Sequence, residues 1–156
     1  MTSEEISRII AQGECISIEF KKAKEKVPQS LYETVVSFAN TRGGYILLGV
    51  DDDGTVLGIQ PENKAIFLKN IATALNSKDN VNPVMYLNPF SIEYEGKTII
   101  VIQAPASSQV HNHAGRVYIR EYEVDIDVTD NQHTICGLFL KKRTIYTETY
   151  IYISRS

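Results

Sequence analysis

An unbroken apolar run at residues 45–50, YILLGV, constrains the fold of this chain more than any other segment. A run this short and apolar is typical of a central β-strand that is covered on both faces. Gly43 and Gly44 precede it and are expected to end an amphipathic helix that begins at Ser30 with a capping box. The sequence therefore predicts a helix followed directly by a buried strand.

Helical and strand patterns alternate along the rest of the chain. Apolar spacing predicts three more helices. One is capped by Ser3, the second begins near Pro61, and the third spans residues 131–142. Alternating patterns predict further strands at residues 15–21, 55–59, 85–94, 98–103 and 116–120. We therefore expect an α+β fold, a single domain in which helices pack against a mixed β-sheet.

The end of the chain alternates apolar and polar side chains over residues 144–153. This pattern predicts an extra strand, so we divide the chain into a domain at residues 1–143 and a C-terminal extension at residues 144–156. An apolar strand needs a partner edge. Either an edge of its own sheet or a second subunit in a homodimer could supply that edge.

Composition limits the class of protein. The chain of 156 residues has no apolar run near the roughly 20 residues that span a bilayer. No secretory signal begins the sequence, and Cys15 and Cys136 are expected to be reduced, buried thiols of a cytoplasmic protein. The net charge of −3 does not favour nucleic acid, but the basic and acidic residues are segregated along the chain.

Three ordered motifs resemble one known family. They read E-x-x-x-x-E-F-K at residues 14–21, F-A-N-T-x-G-G at residues 38–44 and L-G-V-D-D at residues 48–52. Together they resemble the AlbA-like domain of Schlafen proteins, which also occurs in bacterial proteins related to transcriptional regulators and helicases. A later Y-I-R at residues 118–120 extends the resemblance.

The resemblance implies an α+β fold and a nucleic-acid-binding domain, with transcription regulation as one role. In the Schlafen branch it also implies a metal-dependent endoribonuclease that uses Mg²⁺ or Mn²⁺. The catalytic and metal-binding carboxylates of that branch fall on Glu14, Glu19 and Asp52, and its motif lysine falls on Lys21. Carboxylates that converge on a divalent ion can position a water against a phosphate. The alternative is structural, with the glutamates in salt bridges and Asp52 in a turn.

Basic side chains near these motifs are candidates for contact with DNA or RNA phosphates. The lysines of residues 21–26 follow the first motif, Arg42 lies beside the paired glycines, and two arginines four apart share one face of a predicted strand. The predicted contacts are Lys21, Lys22, Lys24, Arg42, Arg116 and Arg120. The alternative for the lysine cluster is a solvated loop, and for Asn40 and the glycines a helix end packed on a strand.

Two other patterns carry weaker hypotheses. His111 and His113 could hold a metal, but no other soft ligands accompany them. Glutamates and aspartates alternate with apolar residues from Glu121 to Asp127, which predicts a strand with one acidic, solvated face.

Three functions remain open from the sequence. The first is binding of DNA or RNA, and the second is metal-dependent RNA cleavage. The third is a protein-interaction domain without a ligand, which the acidic strand and the negative net charge favour. We expect no membrane association.

Overall fold

The computed structural model describes residues 1–23 and 27–155, and for residues 144–155 it describes the backbone alone. The elements in chain order are α1 (Ser3–Gln12), β1 (Ile18–Lys21), α2 (Gln29–Asn40), β2 (Gly44–Leu48), a 3₁₀ turn (Pro61–Asn63), α3 (Lys64–Leu75), β3 (Phe90–Tyr94), β4 (Lys97–Ala104), β5 (Tyr118–Glu121), β6 (Val124–Asp127) and α4 (Gln132–Arg155).

The apolar run forms the centre of a four-stranded mixed sheet with the strand order β1-β2-β4-β3. β2 pairs in parallel with β1 and antiparallel with β4. Ile46 and Leu48 face a core that includes α2 and α3, whereas Leu47 faces the opposite core, which includes Ile6 of α1. The predicted α+β fold and the doubly covered strand are both confirmed.

A two-stranded hairpin of β5 and β6 forms a separate sheet that packs on α2. The chain turns at Tyr122, whose φ of 52° lies in the left-handed region. Residues 121–127 therefore do not form one strand with an acidic face. That prediction was wrong because Asp125 is drawn inward by hydrogen bonds from α2 and from Arg120.

The last helix differs from its prediction. α4 continues to Arg155, so the strand predicted at residues 144–153 was wrong. The sequence after Gly137 contains no glycine or proline to stop the helix. Extending a helix adds a hydrogen bond for each residue fixed, whereas a new strand needs an unpaired edge. A homodimer through a C-terminal strand loses its structural basis, and dimerisation itself stays a prediction.

The N-terminal ends of α1 and α2 differ from the sequence predictions. Pro28 precedes the first residue of α2, and Ser30 does not cap that helix. Its Oγ accepts a hydrogen bond from Lys21 at 3.3 Å. Thr2 rather than Ser3 caps α1, because its Oγ1 accepts a hydrogen bond from the N–H of Glu5.

Two further points bear on the class of protein. Cys15 and Cys136 form no disulfide, but Cys136 is exposed and Cys15 only half-buried, so the prediction of buried thiols was wrong. Within the described part of the chain, none of the helices combines the length and apolar character needed to cross a membrane.

Candidate functional site

A buried arginine of β5 connects the first motif to the rest of the domain. The side chain of Arg120 is 1% exposed. Its Nη2 donates to Glu19 Oε2 at 2.7 Å, and its Nη1 donates to Asp125 Oδ1 at 2.9 Å. The same guanidinium donates to the carbonyl oxygens of Cys15 and Ile18. Arg120 therefore fixes the segment before β1 and the start of that strand.

Polar groups of α2 complete this network. Asp125 also accepts hydrogen bonds from Thr34 Oγ1 at 2.6 Å and from Ser37 Oγ at 2.5 Å. The guanidinium carbon of Arg120 lies 4.9 Å from the centroid of the Phe38 ring, as in a cation–π contact. Burial alone would lower the pKa of Arg120, but hydrogen bonds to Glu19 and Asp125 raise it above its usual value. The arginine therefore stays charged.

Glu14 lies before β1, and its side chain turns back towards that strand. Its Oε1 accepts a hydrogen bond from the N–H of Phe20 at 3.0 Å. Burial raises the pKa of Glu14, and repulsion from Glu19, Asp52 and Glu123 raises it further, against that hydrogen bond. The three carboxylates of the motifs therefore lie close enough to influence one another electrostatically.

A divalent ion does not fit these carboxylates as they are arranged. Both oxygens of Glu19 are already used, by Lys21 Nζ at 3.3 Å and by Arg120 Nη2. No group of three histidine, cysteine, aspartate or glutamate side chains converges closely enough to hold a metal among the described residues. We therefore assign no metal-dependent step to Glu14, Glu19 and Asp52.

Asp52 lies in an exposed turn that has its own structural explanation. The N–H of Asp51 donates to Thr55 O, and that of Gly54 donates to Asp51 O, both at 2.8 Å. The N–H of Asp52 is held by Asp51 Oδ1. Aspartate and glycine are the residues that such a turn requires, so this turn needs no ligand to explain its sequence.

The predicted phosphate contacts of the first motif are partly occupied. Lys21 is nearly buried and pairs with Glu19, while the exposed Lys22 lies 3.6 Å from Asp51 Oδ1. Lys24 lies outside the described residues. An exposed ion pair at such a distance is weak and easily exchanged, so Lys22 is the more accessible of the two lysines.

The two arginines predicted to share a strand face have different environments. Arg116 precedes β5 and pairs with Asp127 at 2.7 Å and with Asp130 at 3.3 Å. Arg120 is buried as described above. Neither guanidinium presents a free charge to the solvent, which argues against direct phosphate contact. Arg42, in contrast, is exposed, and none of the described residues forms an ion pair with it.

The second motif is largely structural. The Nδ2 of Asn40 donates to the carbonyl oxygens of His111 and Tyr118, and its Oδ1 accepts from the N–H of His111. A Cβ at Gly44 would lie 2.5 Å from the carbonyl oxygen of Ser17. Gly44 therefore permits a close approach to the backbone of Ser17, and this packing explains the glycine without a ligand.

Exposed cations are adjacent in sequence to the contact between the C-terminal end of α2 and α4. The buried Lys142 of α4 donates from Nζ to Ala39 O at 3.0 Å, which anchors α4 beside this end. Its neighbours Lys141 and Arg143 are exposed, and Arg42 follows Ala39 by three residues. We call Arg42, Lys141 and Arg143 the basic cluster. The sequence did not predict it, because its members lie about 100 residues apart.

His111 and His113 hold a loop rather than a metal. The ring of His111 lies within hydrogen-bond distance of Pro83 O and Ser107 Oγ, both at 2.7 Å. The Nδ1 of His113 lies 2.6 Å from Asn80 O. Burial lowers the pKa of His111, and a hydrogen bond to Pro83 O only partly offsets this effect. Both side chains are thus engaged inside the protein.

Thr34, Ser37 and Asp125 were missed by reasoning from the sequence. Thr34 and Ser37 lie three residues apart in a helix whose other residues are largely apolar. That spacing places two hydroxyls on one face of α2. Because buried hydroxyls need hydrogen-bond partners, the pattern could have indicated a polar side chain packed against this face.

The sequence matches the Schlafen, AlbA_2 family over residues 14–128, so the chain belongs to that family. The match ends before α4 begins.

Two solved structures resemble this one. The DIP2311 protein from Corynebacterium diphtheriae superposes with a TM-score of 0.56 at 16% identity, over 80% of this chain and 29% of that chain. At this identity the likeness shows the fold alone, and this chain spans less than a third of that protein's length. The second is the N-terminal domain of a protein from Nitrosomonas europaea related to the ATP-dependent DNA helicase RecG. It superposes with a TM-score of 0.52 at 27% identity, over 67% of this chain and 72% of that chain.

Proposed function

We propose that this domain binds nucleic acid and that its basic cluster contacts the phosphates. The basic cluster carries the proposal because Arg42, Lys141 and Arg143 are exposed and form no ion pair with any described residue. Membership of the Schlafen, AlbA_2 family and the RecG-related neighbour support a nucleic-acid-related domain. Binding of DNA and a role in transcription regulation are the narrower forms of this proposal.

Charge distribution supports the basic cluster over the other candidates. Each phosphate contact releases counterions from the nucleic acid, and a protein cation that is already paired with a carboxylate must first give up that pair. Arg116 and Arg120 each contact two carboxylates, and Lys21 contacts one. Lys22 has the weaker pairing, so it is the second candidate for a phosphate contact. The net charge of −3 is compatible with binding through one local surface.

Fluorescence anisotropy with labelled single-stranded RNA and DNA, measured from low to moderate salt, tests the proposal. The double variant Arg42→Gln/Lys141→Gln should weaken binding and reduce the slope of log K against log salt by roughly 1.4, from two lost phosphate contacts on a single strand. Arg116→Gln is the matched control, since it removes an arginine whose charge is already paired. Equal binding by the wild type and the double variant would contradict the assignment of the basic cluster.

The same samples test the two other functions that the sequence left open. RNA incubated with Mn²⁺ should be recovered at full length, because both oxygens of Glu19 are already engaged. Metal-dependent shortening that Asp52→Asn abolishes would instead support the Schlafen-type endoribonuclease. A complete lack of binding at low salt would favour a protein-interaction domain without a ligand.

A further inference from the structure

A shallow pocket of about 340 Å³ lies beside α3. One face of α3 carries Asn63 at its N-cap, Phe67 four residues later and Asn70 three residues after that. Ile66 and the segment at Ile59 and Gln60 add further walls. We call this the amide pocket because Gln60, Asn63 and Asn70 line it. Its volume lies near the lower end of the range of roughly 300–1,000 Å³ for small-ligand sites.

The amides of this pocket are not used by the fold. The asparagines at positions 40, 76 and 80 each donate to a backbone carbonyl. By contrast, Gln60, Asn63 and Asn70 form no side-chain hydrogen bond to any part of the chain that the structure describes. Asn63 occupies the N-cap position of α3 but makes no capping hydrogen bond, although asparagine is among the best capping residues.

Apolar groups lie between these amides. Ile66 is 66% exposed, and Phe67 at 8% exposure follows it in the sequence. An amide offers a donor and an acceptor side by side, which matches the hydrogen-bonding edge of a nucleobase. Apolar surface suits the flat face of the same group. The combination therefore fits a planar heterocycle better than a phosphate or a peptide charge.

The surrounding charge favours a ligand that carries phosphate. Ala23 also lines the pocket, and its neighbour Lys22 is 53% exposed. Among residues 1–23 and 27–143, no acidic side chain lines the amide pocket. The depression beside the first motif differs, since Glu14, Glu121 and Glu123 line it and would repel phosphate.

We propose that the amide pocket binds one unstacked nucleobase, supplied either by a single-stranded nucleic acid or by a free nucleotide. If the base comes from a single-stranded nucleic acid, this inference rests on the proposed function, in which the basic cluster supplies the phosphate contacts. The amide pocket adds contacts to the base itself, which phosphate contacts cannot provide.

Anisotropy measurements with two labelled probes test this inference. One probe is a single-stranded RNA, and the other is an abasic phosphodiester of the same length and charge. The wild type should bind the RNA at least about fivefold more tightly than the abasic probe. Asn63→Ala/Asn70→Ala should remove most of this preference while binding the abasic probe as the wild type does. Gln103→Ala, which removes an exposed amide from β4, is the matched control and should keep the preference.

The outcomes separate this inference from the proposed function. Equal affinity of the wild type for both probes, or an unchanged preference in the double variant, would overturn the base pocket and leave phosphate binding intact. Titration with AMP and UMP distinguishes the sources, because saturable binding that the double variant loses identifies a free-nucleotide site. If neither probe binds at low salt, the proposed function fails. Absence of saturable AMP and UMP binding would then overturn the base pocket as well.

Discussion

Arg120 links three parts of the domain through one side chain. Its guanidinium contacts Glu19 in β1, Asp125 in β6 and two carbonyl groups near the first motif. Buried carboxylates are costly when a partner is removed, since the charge that remains has neither water nor a counterion. The role of Arg120 is therefore to hold charges in place inside the protein.

Arg120→Met should lower the free energy of unfolding by about 3–5 kcal/mol, as expected when one partner of a buried ionic network is removed. The loss arises because the carboxyl groups of Glu19 and Asp125 lose the guanidinium that pairs with both of them. Urea denaturation followed by circular dichroism measures the change. Arg116→Gln is the control, since its pairs are exposed and their loss should have little effect. Similar denaturation midpoints for both variants would contradict this account of Arg120.

For individual residues, the sequence predicted where the motif side chains lie better than whether those side chains are buried or paired. The motif glutamates do lie near β1, but Arg120 was predicted to contact phosphate. A spacing of four residues indicates a shared strand face and does not indicate whether that face is covered. Coverage depends on α2 and β1, which lie about 80 and 100 residues earlier in the chain.

At the scale of elements, the junction of α2 and β2 is defined by contact between backbones. A Cβ at Gly44 would lie 2.5 Å from Ser17 O and 2.9 Å from a ring carbon of Phe38. Contacts this short require the backbone to shift. The paired glycines therefore allow β2 to pack closely against the segment before β1 and against α2.

Gly44→Ala should destabilise the protein by about 1–3 kcal/mol, the usual range for overpacking a core. Gly137→Ala is the matched substitution, since Gly137 lies in α4 with nothing within 4 Å of the added Cβ. It should stabilise the protein by about 0.5–1 kcal/mol through helix propensity. Thermal unfolding of both variants checks the opposite signs. A stable Gly44→Ala protein would show that this junction can relax.

At the scale of the whole molecule, the buried apolar side chains among residues 1–23 and 27–143 run from Ile6 to Val128, and Lys142 is the last buried residue described. The distribution supports a domain at residues 1–143, to which the backbone of α4 adds a further segment. The boundary at residue 143 is a proposal that truncation can test.

A chain that ends after Arg143 should unfold cooperatively at nearly the temperature of the full chain, because it keeps every buried apolar side chain that the structure describes. Differential scanning calorimetry measures this, and light scattering after gel filtration gives the mass of both chains. The mass of two protomers for the full chain and of one protomer for the truncated chain would support a homodimer through the C-terminal segment. The same number of protomers in both would contradict that homodimer, and loss of cooperative unfolding would contradict the domain boundary.

The sequence alone determined the family, the α+β class and the central strand. Each depends on patterns within a few neighbouring residues, such as the apolar run at residues 45–50 and the three motifs. The tertiary structure alone decided which charges are free. Arg120 is buried and Arg116 is paired. Arg42 and Lys141 each lie close in sequence to Ala39 and Lys142, which contact each other. The physical reason is that burial and ion pairing depend on elements distant in sequence, whereas local patterns specify only the faces that those elements present.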